Sequence, residues 1–239
     1  MNAVIRGRRL LALLMLLPVM AYAGKPNWAR KAVGFAGACS GNCGTVRIVA
    51  PDKKSVVEVL YHDGDAYLRV TTPNSQPREI HDLFNSPHND LEWAPDSQAF
   101  FVDGGEGMTS PGFVQVYMLD DPQLRSLDVT HEAEQDMVKT YPPCKALYLD
   151  PQTCRKMEKD PGYNITAIDW VKDSSALVVM MQIPCTQNFG GILCQVMGYE
   201  VEVPSGKILQ RMTAAELRKQ WQKEMVQRLE IPEPPQYQQ

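Results

Sequence analysis

The sequence lacks a membrane-spanning stretch. Its one long apolar run, residues 10–20, is about 11 residues and contains Pro18, where a spanning helix needs about 20. It lacks a basic excess: 24 Lys and Arg against 28 Asp and Glu give a net charge of −4, unlike the basic patches of nucleic-acid binders. It lacks a Gly-x-Ser-x-Gly elbow, a His-Glu-x-x-His pair, a phosphate loop ending Gly-Lys-Ser/Thr and a Cys-x-x-Cys motif, which removes the commonest signatures of hydrolase, metalloprotease, nucleotide and redox chemistry. Histidine is scarce, with 4 in 239 residues. What remains is an ordinary globular composition, 44% hydrophobic and 22% charged. That excludes a disordered, collagenous or polytopic membrane protein and leaves ample chain for a core.

The beginning of the chain reads as an address. Arg6, Arg8 and Arg9 precede the apolar run, and Ala21-Tyr22-Ala23 fits the small-x-small cleavage pattern of a secretory signal. Residues 1–23 are therefore read as a signal peptide of bacterial style, Gly24 as the first mature residue, and the location as periplasmic or secreted. An uncleaved anchor is the alternative. The mature chain has 21 basic residues and a net charge of −7; that disfavours anionic membranes and nucleic acid. Six cysteines follow: Cys39, Cys43, Cys144, Cys154, Cys185 and Cys194. In an oxidising compartment they read as three disulfides, and of the 15 connectivities possible the local pairs 39–43, 144–154 and 185–194 are expected. Cys39 and Cys43 can bond only if Ser40-Gly41-Asn42 turns, because an extended chain would hold their Cα atoms about 13 Å apart. Cys185 and Cys194 are expected to face each other across an antiparallel pair, about 4.5–5.5 Å apart.

Three stretches align: Val49-Ala50-Pro51-Asp52-Lys53-Lys54, Trp93-Ala94-Pro95-Asp96-Ser97-Gln98 and Trp170-Val171-Lys172-Asp173-Ser174-Ser175. Each follows a short strand signal and precedes a β-rich run, so each is a hairpin whose Asp caps the turn. Two further strand signals follow each hairpin. Units of four antiparallel strands are expected at about 44–81, 89–130 and 165–212, with a period of about 44 residues. Trp-Ala-Pro-Asp-Ser and Trp-Val-Lys-Asp-Ser resemble the aromatic-Ser-Pro-Asp-Gly signature of TolB-like β-propeller repeats. The resemblance covers roughly residues 44–212 and implies a blade-built scaffold of the kind that serves as a binding platform, a peptidase domain or an enzyme. The chain departs from that signature at the turn glycine (Lys53, Ser97, Ser174), at the first aromatic (Val49) and at the third proline (Lys172). The expected fold is mainly β: a partial or open propeller-like array of about three units, where closed propellers have 4–8 blades.

Open sheet edges need cover. A short helix is expected in residues 28–33. A C-terminal amphipathic helix is expected over 213–230, from the Thr213/Glu216 capping box and the four-residue spacing of Leu217, Trp221, Met225 and Leu229. Residues 231–239 read as a frayed tail. The insertion 131–164 reads as a helix start at Thr130 to Glu134, then a loop held by Cys144–Cys154. Two copies could supply six blades, which makes a homodimer possible.

For function, the loops at 61–65, 81–88, 103–112, 130–164 and 183–193 share one face in a propeller topology. All four histidines fall there. His62, Asp63, His81, His88, His131 and Phe189 are the candidate binding residues, with no catalytic residue, metal or cofactor assigned. Asp103 to Met108 reads as a flexible Gly-rich hairpin loop. The leading reading is an exported non-catalytic module engaging a protein, peptide or cell-envelope component. The alternative is a secreted hydrolase or metal-dependent enzyme using the histidines.

Overall fold

A computed structural model describes residues 26–41, 43–73, 75–81, 86–105, 112–119, 124–142, 150–159, 161–171, 173–185 and 194–230. Among these the chain is mainly β, arranged as three antiparallel sheets. The first sheet contains β2 (Val46–Val49), β3 (Val56–His62), β4 (Asp65–Thr71) and β5 (Arg78–Ile80). The second contains β6 (Asn89–Trp93), β7 (Ala99–Gly104), β8 (Phe113–Met118) and β9 (Arg125–Asp128), with β1 (Val33–Phe35) added on the free edge of β6. The third contains β10 (Asn164–Trp170), β11 (Ala176–Gln182), β12 (Val196–Glu202) and β13 (Ile208–Thr213). Strands alternate between two faces, and both faces of the second sheet carry buried apolar side chains. Leu91, Trp93, Phe100, Val102 and Tyr117 pack toward the first sheet. Phe101, Val114, Val116 and Met118 pack toward the third.

The hairpin turns keep one geometry. Lys53, Ser97 and Ser174 have φ of 62°, 64° and 63°, the left-handed region that glycine occupies without strain. Asp52, Asp96 and Asp173 cap these turns by accepting the backbone N–H of Lys54, Gln98 and Ser175 at 2.8–3.1 Å. The two serines gain something glycine could not supply. Ser97 Oγ accepts the N–H of Asp52 at 3.0 Å, and Ser174 Oγ accepts the N–H of Asp96 at 3.1 Å. The tryptophans repeat the pattern: Trp93 Nε1 donates to the Ile48 carbonyl at 3.2 Å, and Trp170 Nε1 to the Glu92 carbonyl at 3.4 Å. Each sheet therefore docks on its predecessor through the same two hydrogen bonds. The first unit has no predecessor, and its equivalent residue, Val49, is 45% exposed.

The two ends of the stack differ. The outer face of the first sheet carries Arg47, Glu58, Arg69 and Glu79 opposite one another across four strands. The equivalent β6 and β7 positions of the second sheet are the buried Leu91 and Val102. On the third sheet's outer face, Ile168, Val178, Met180, Val196 and Met212 pack under α3 (Ala214–Trp221) and the chain after it. A side chain at Gly198 would strike Leu217, so this glycine lets the helix seat. A ring of six sheets from two copies would need this face, and α3 occupies it.

Three expectations are corrected. The Thr213/Glu216 capping box forms, but the helix ends at Trp221 and a 3-10 turn follows, Gln222–Glu224. Met225 and Leu229 reach the same core along an extended path. Arg30 is the reason: its backbone N–H donates to the Glu224 carbonyl at 2.8 Å, and its guanidinium to the carbonyls of Lys223 and Met225 at 2.8 and 2.6 Å. Residues 28–33 are not helical; Ala29 bridges to Met225 and β1 begins at Val33. The insertion carries two helices, α1 (Thr130–Thr140) and α2 (Pro151–Lys159). The side chain of Asp150 accepts the Gln152 N–H at 2.9 Å, and Pro151 fits the first helical position. Arg211 on β13 forks onto Asp136 of α1 at 2.5 and 2.8 Å.

Cys39–Cys43 and Cys185–Cys194 are bonded, with Cα separations of 6.2 and 4.5 Å. Cys154 is also in a disulfide; Cys144 lies outside the described residues. Among the described residues no helix is long and apolar enough to cross a membrane. Residues 1–23 and 231–239, read as leader and tail, lie outside them.

Candidate functional site

The junction between the first and second sheets is closed by apolar side chains. The junction between the second and third buries acids beside its apolar side chains. Alternation on β6 sends Leu91 and Trp93 to the first sheet, and so sends Asp90 and Glu92 to the other side. Asp103 on β7 shares that side and lies opposite Asp90. Asp169, at the position in β10 equivalent to Glu92, comes from the third sheet. All four carboxyls are buried.

Each has an identifiable partner or a cause for going without. Asp90 accepts the backbone N–H of Asn27 at 2.9 and 3.0 Å and of Trp28 at 3.1 Å, which pins residues 26–32 as a strap along the junction. Desolvation outweighs these donors and raises the Asp90 pKa. Lys31 Nζ lies 2.5 Å from Asp169 and 3.7 Å from Glu224. Desolvation opposes the Lys31 charge, but the hydrogen bond and charge of Asp169, with Glu224 and Glu92, hold its pKa above the ordinary value. Glu92 is pushed up to about 8, first by desolvation and then by the charge of Asp169. Asp103 Oδ2 accepts Thr166 Oγ1 at 2.5 Å and the Ala167 N–H at 2.7 Å. Desolvation and the nearby Asp90 still raise its pKa well above the carboxylate range. With its pKa at about 8, Glu92 is neutral through much of the physiological range.

Beside Asp103, at the ends of β7 and β11 and the start of β10, is a small, partly open recess. It is lined by Asp103, Thr166, Asn164, Gln182, Gly105 and Gly112, by Ile165 and Met180, and by Asn27 and Trp28 of the strap. Gly112 is required there: a β-carbon would come within 2.5 Å of the Ile165 carbonyl oxygen. The Asn164 carboxamide is closed to solvent, and neither its Oδ1 nor its Nδ2 has a hydrogen-bond partner. Asn164-Ile165-Thr166 matches a glycosylation sequon, but this burial leaves the folded chain no accessible acceptor nitrogen.

The residues singled out from sequence lie elsewhere. His62 and Asp63 are exposed in the β3–β4 turn, 3.4 Å apart. His81 stacks on Tyr67 with ring centroids 5.1 Å apart and sits 3.2 Å from Glu79. His88 is exposed before β6, and His131 is exposed in the first turn of α1. None of them lines the recess. Phe189 lies outside the described residues. Among the described residues no group of three His, Cys, Asp or Glu side chains could hold a metal ion. Asp103 and Gly104, expected in a flexible loop, are buried in β7. The acids of the junction were missed, although a signal existed: Glu92 and Asp169 each precede the repeat tryptophan, and a bulge in β10 between Ala167 and Asp169 breaks the alternation there. Comparison with family models, curated proteins and solved structures finds no match to this chain.

Proposed function

We propose that this chain is an exported, non-catalytic binding module built as an open propeller-type array. It engages a cell-envelope component, protein or peptide at the recess between its second and third sheets. The observation that carries the reading is the Asn164 carboxamide, buried beside the recess without a partner. A buried polar group left unpaired costs about 1–3 kcal/mol, and a site that completes itself with a ligand accounts for that cost. The Cys185–Cys194 bridge, three residues beyond Gln182, holds the adjoining chain ends together and fits preorganisation for binding. The arginine-rich leader and the disulfides fit an oxidising compartment.

The test is site-directed photo-crosslinking in the periplasm of a bacterial host. A photoreactive residue at Gln182 should trap one defined species that the same residue at Glu79, on the first sheet's outer face, does not. Equal trapping from both positions, or none from Gln182, removes the reading.

A further inference from the structure

We infer that the recess takes a neutral saccharide; this rests on the binding-module reading above. The argument starts from the Asn164 carboxamide. Its Oδ1 needs a donor and its Nδ2 an acceptor. An ammonium or guanidinium group only donates, and would leave Nδ2 unpaired. A carboxylate or phosphate only accepts, and would leave Oδ1 unpaired. A hydroxyl does both, and adjacent hydroxyls can satisfy both atoms together.

The remaining lining agrees. Among the described residues no lysine, arginine or histidine lines the recess, so an anion finds no counter-charge from them beside Asp103. The Asp103 carboxyl already accepts two hydrogen bonds through Oδ2. Gln182 contributes a second carboxamide, whose amide nitrogen is 3.9 Å from Cys185 Sγ, a weak contact that a ligand hydroxyl can replace. Thr166 and Asn27 add short polar groups, while Trp28 and Met180 supply an apolar flank suited to the C–H face of a sugar ring. A peptide main chain adding as a strand would need a continuous strand edge. The β10 edge is not open at this point: Asp103 holds the Ala167 N–H, and Gly112 is pressed against the Ile165 carbonyl. Because the Asn164 polar atoms are closed to solvent, a ligand reaches them only if the recess opens, and Asn27 and Trp28 of the strap are among its lining. Binding is therefore coupled to the strap.

The experiment uses residues 24–239 with their disulfides intact. Chitotetraose, maltotetraose, cellotetraose and mannotetraose, a galacturonate tetramer, and a panel of neutral hexapeptides are screened by saturation-transfer NMR, and hits are titrated by calorimetry. At least one neutral oligosaccharide should bind, with Asn164→Ala weakening it tenfold or more and Glu79→Gln leaving it unchanged. The Asn164→Ala variant should melt no lower than the wild type, since it removes an unpaired buried amide; a residue with only a structural role would lose stability and binding together. If no neutral saccharide binds at millimolar concentration, or if binding ignores Asn164→Ala, the saccharide inference is overturned. Asn164-dependent binding of a hexapeptide or of galacturonate overturns it too, but leaves the binding-module reading standing. No Asn164-dependent binding of any probe, joined to a silent crosslink from Gln182, overturns both.

Discussion

The two inter-sheet junctions are made by one rule and filled by two chemistries. At each, a tryptophan indole crosses to the preceding sheet and a serine hydroxyl takes the preceding turn's amide. Yet the position before the aromatic is Ile48 in the first unit, Glu92 in the second and Asp169 in the third. The first junction is dry. The second buries four carboxyls, a strap that compensates them and a recess. Since docking is the same in both, the acids are not needed to join sheets. A polar junction beside an apolar one of the same docking geometry breaks a local packing rule, the kind of departure that the proposed binding site would account for.

The comparison breaks most sharply if the two tryptophans are not equivalent. Trp93→Ala and Trp170→Ala should each lower stability by about 3–5 kcal/mol, read by urea denaturation, and the two losses should agree within about 1 kcal/mol. A loss at one position only would show that the shared geometry is not shared energetically. Next in size is Cys185→Ser. The loop it opens is about ten residues, so about 2–3 kcal/mol should be lost, the fold should stand by circular dichroism, and a free thiol should appear at Cys194. Unfolding on substitution would mean that the bridge supports the sheet itself.

The polar junction should also be readable in pH. The folded pKa of Glu92, about 8, lies above its ordinary value of 4.5. The folded state then binds the extra proton, so the stabilisation is complete below about pH 4.5 and is lost as pH rises through 8. Asp90 and Asp103 are shifted in the same direction. Stability measured by urea titration should fall between pH 5 and 8, and Glu92→Gln should flatten that slope and exceed the wild type at pH 9. A wild-type curve that rises across this window would reverse the assignment. The smallest effect belongs to the first unit: Val49→Ala should change stability by less than about 0.5 kcal/mol, because no sheet lies beyond it. A loss comparable with the tryptophans would reveal a partner on that face.

The repeat could be read from sequence because it is local. Pro51, Pro95 and their capping aspartates announce turns from four or five residues, and the sheets at 46–80, 89–128 and 164–213 follow. The departure at Val49 is explained by its place at an open end, where an aromatic would have nothing to reach. The segments misread are those whose partners are far away in sequence. Residues 28–33 have helical spacing, but Asp90, Asp169 and Met225 claim them from 62 to 196 positions away. Leu217 to Leu229 keeps one apolar period through two backbone conformations, because Arg30 takes the carbonyls that would have continued the helix. The Asp150-Pro151 start of α2 was legible and was overlooked. The candidate site was hidden because its acids alternate with Leu91 and Trp93 as solvent-facing residues of a strand do; only the third sheet makes that face an interior.

The direction of the indole contacts has a consequence for the order of assembly. Each tryptophan reaches a carbonyl nearer the N-terminus, so as the chain lengthens from its N-terminal end the acceptor always precedes its donor. The three sheets can form in succession, each from contacts within its own span, and then dock backward. The strap cannot. Its clasp joins Asn27, Ala29 and Arg30 to residues 223–227, about 200 positions later, and contacts so distant in sequence form slowly. The recess that the strap lines is thus completed only after residues 223–227 have joined it.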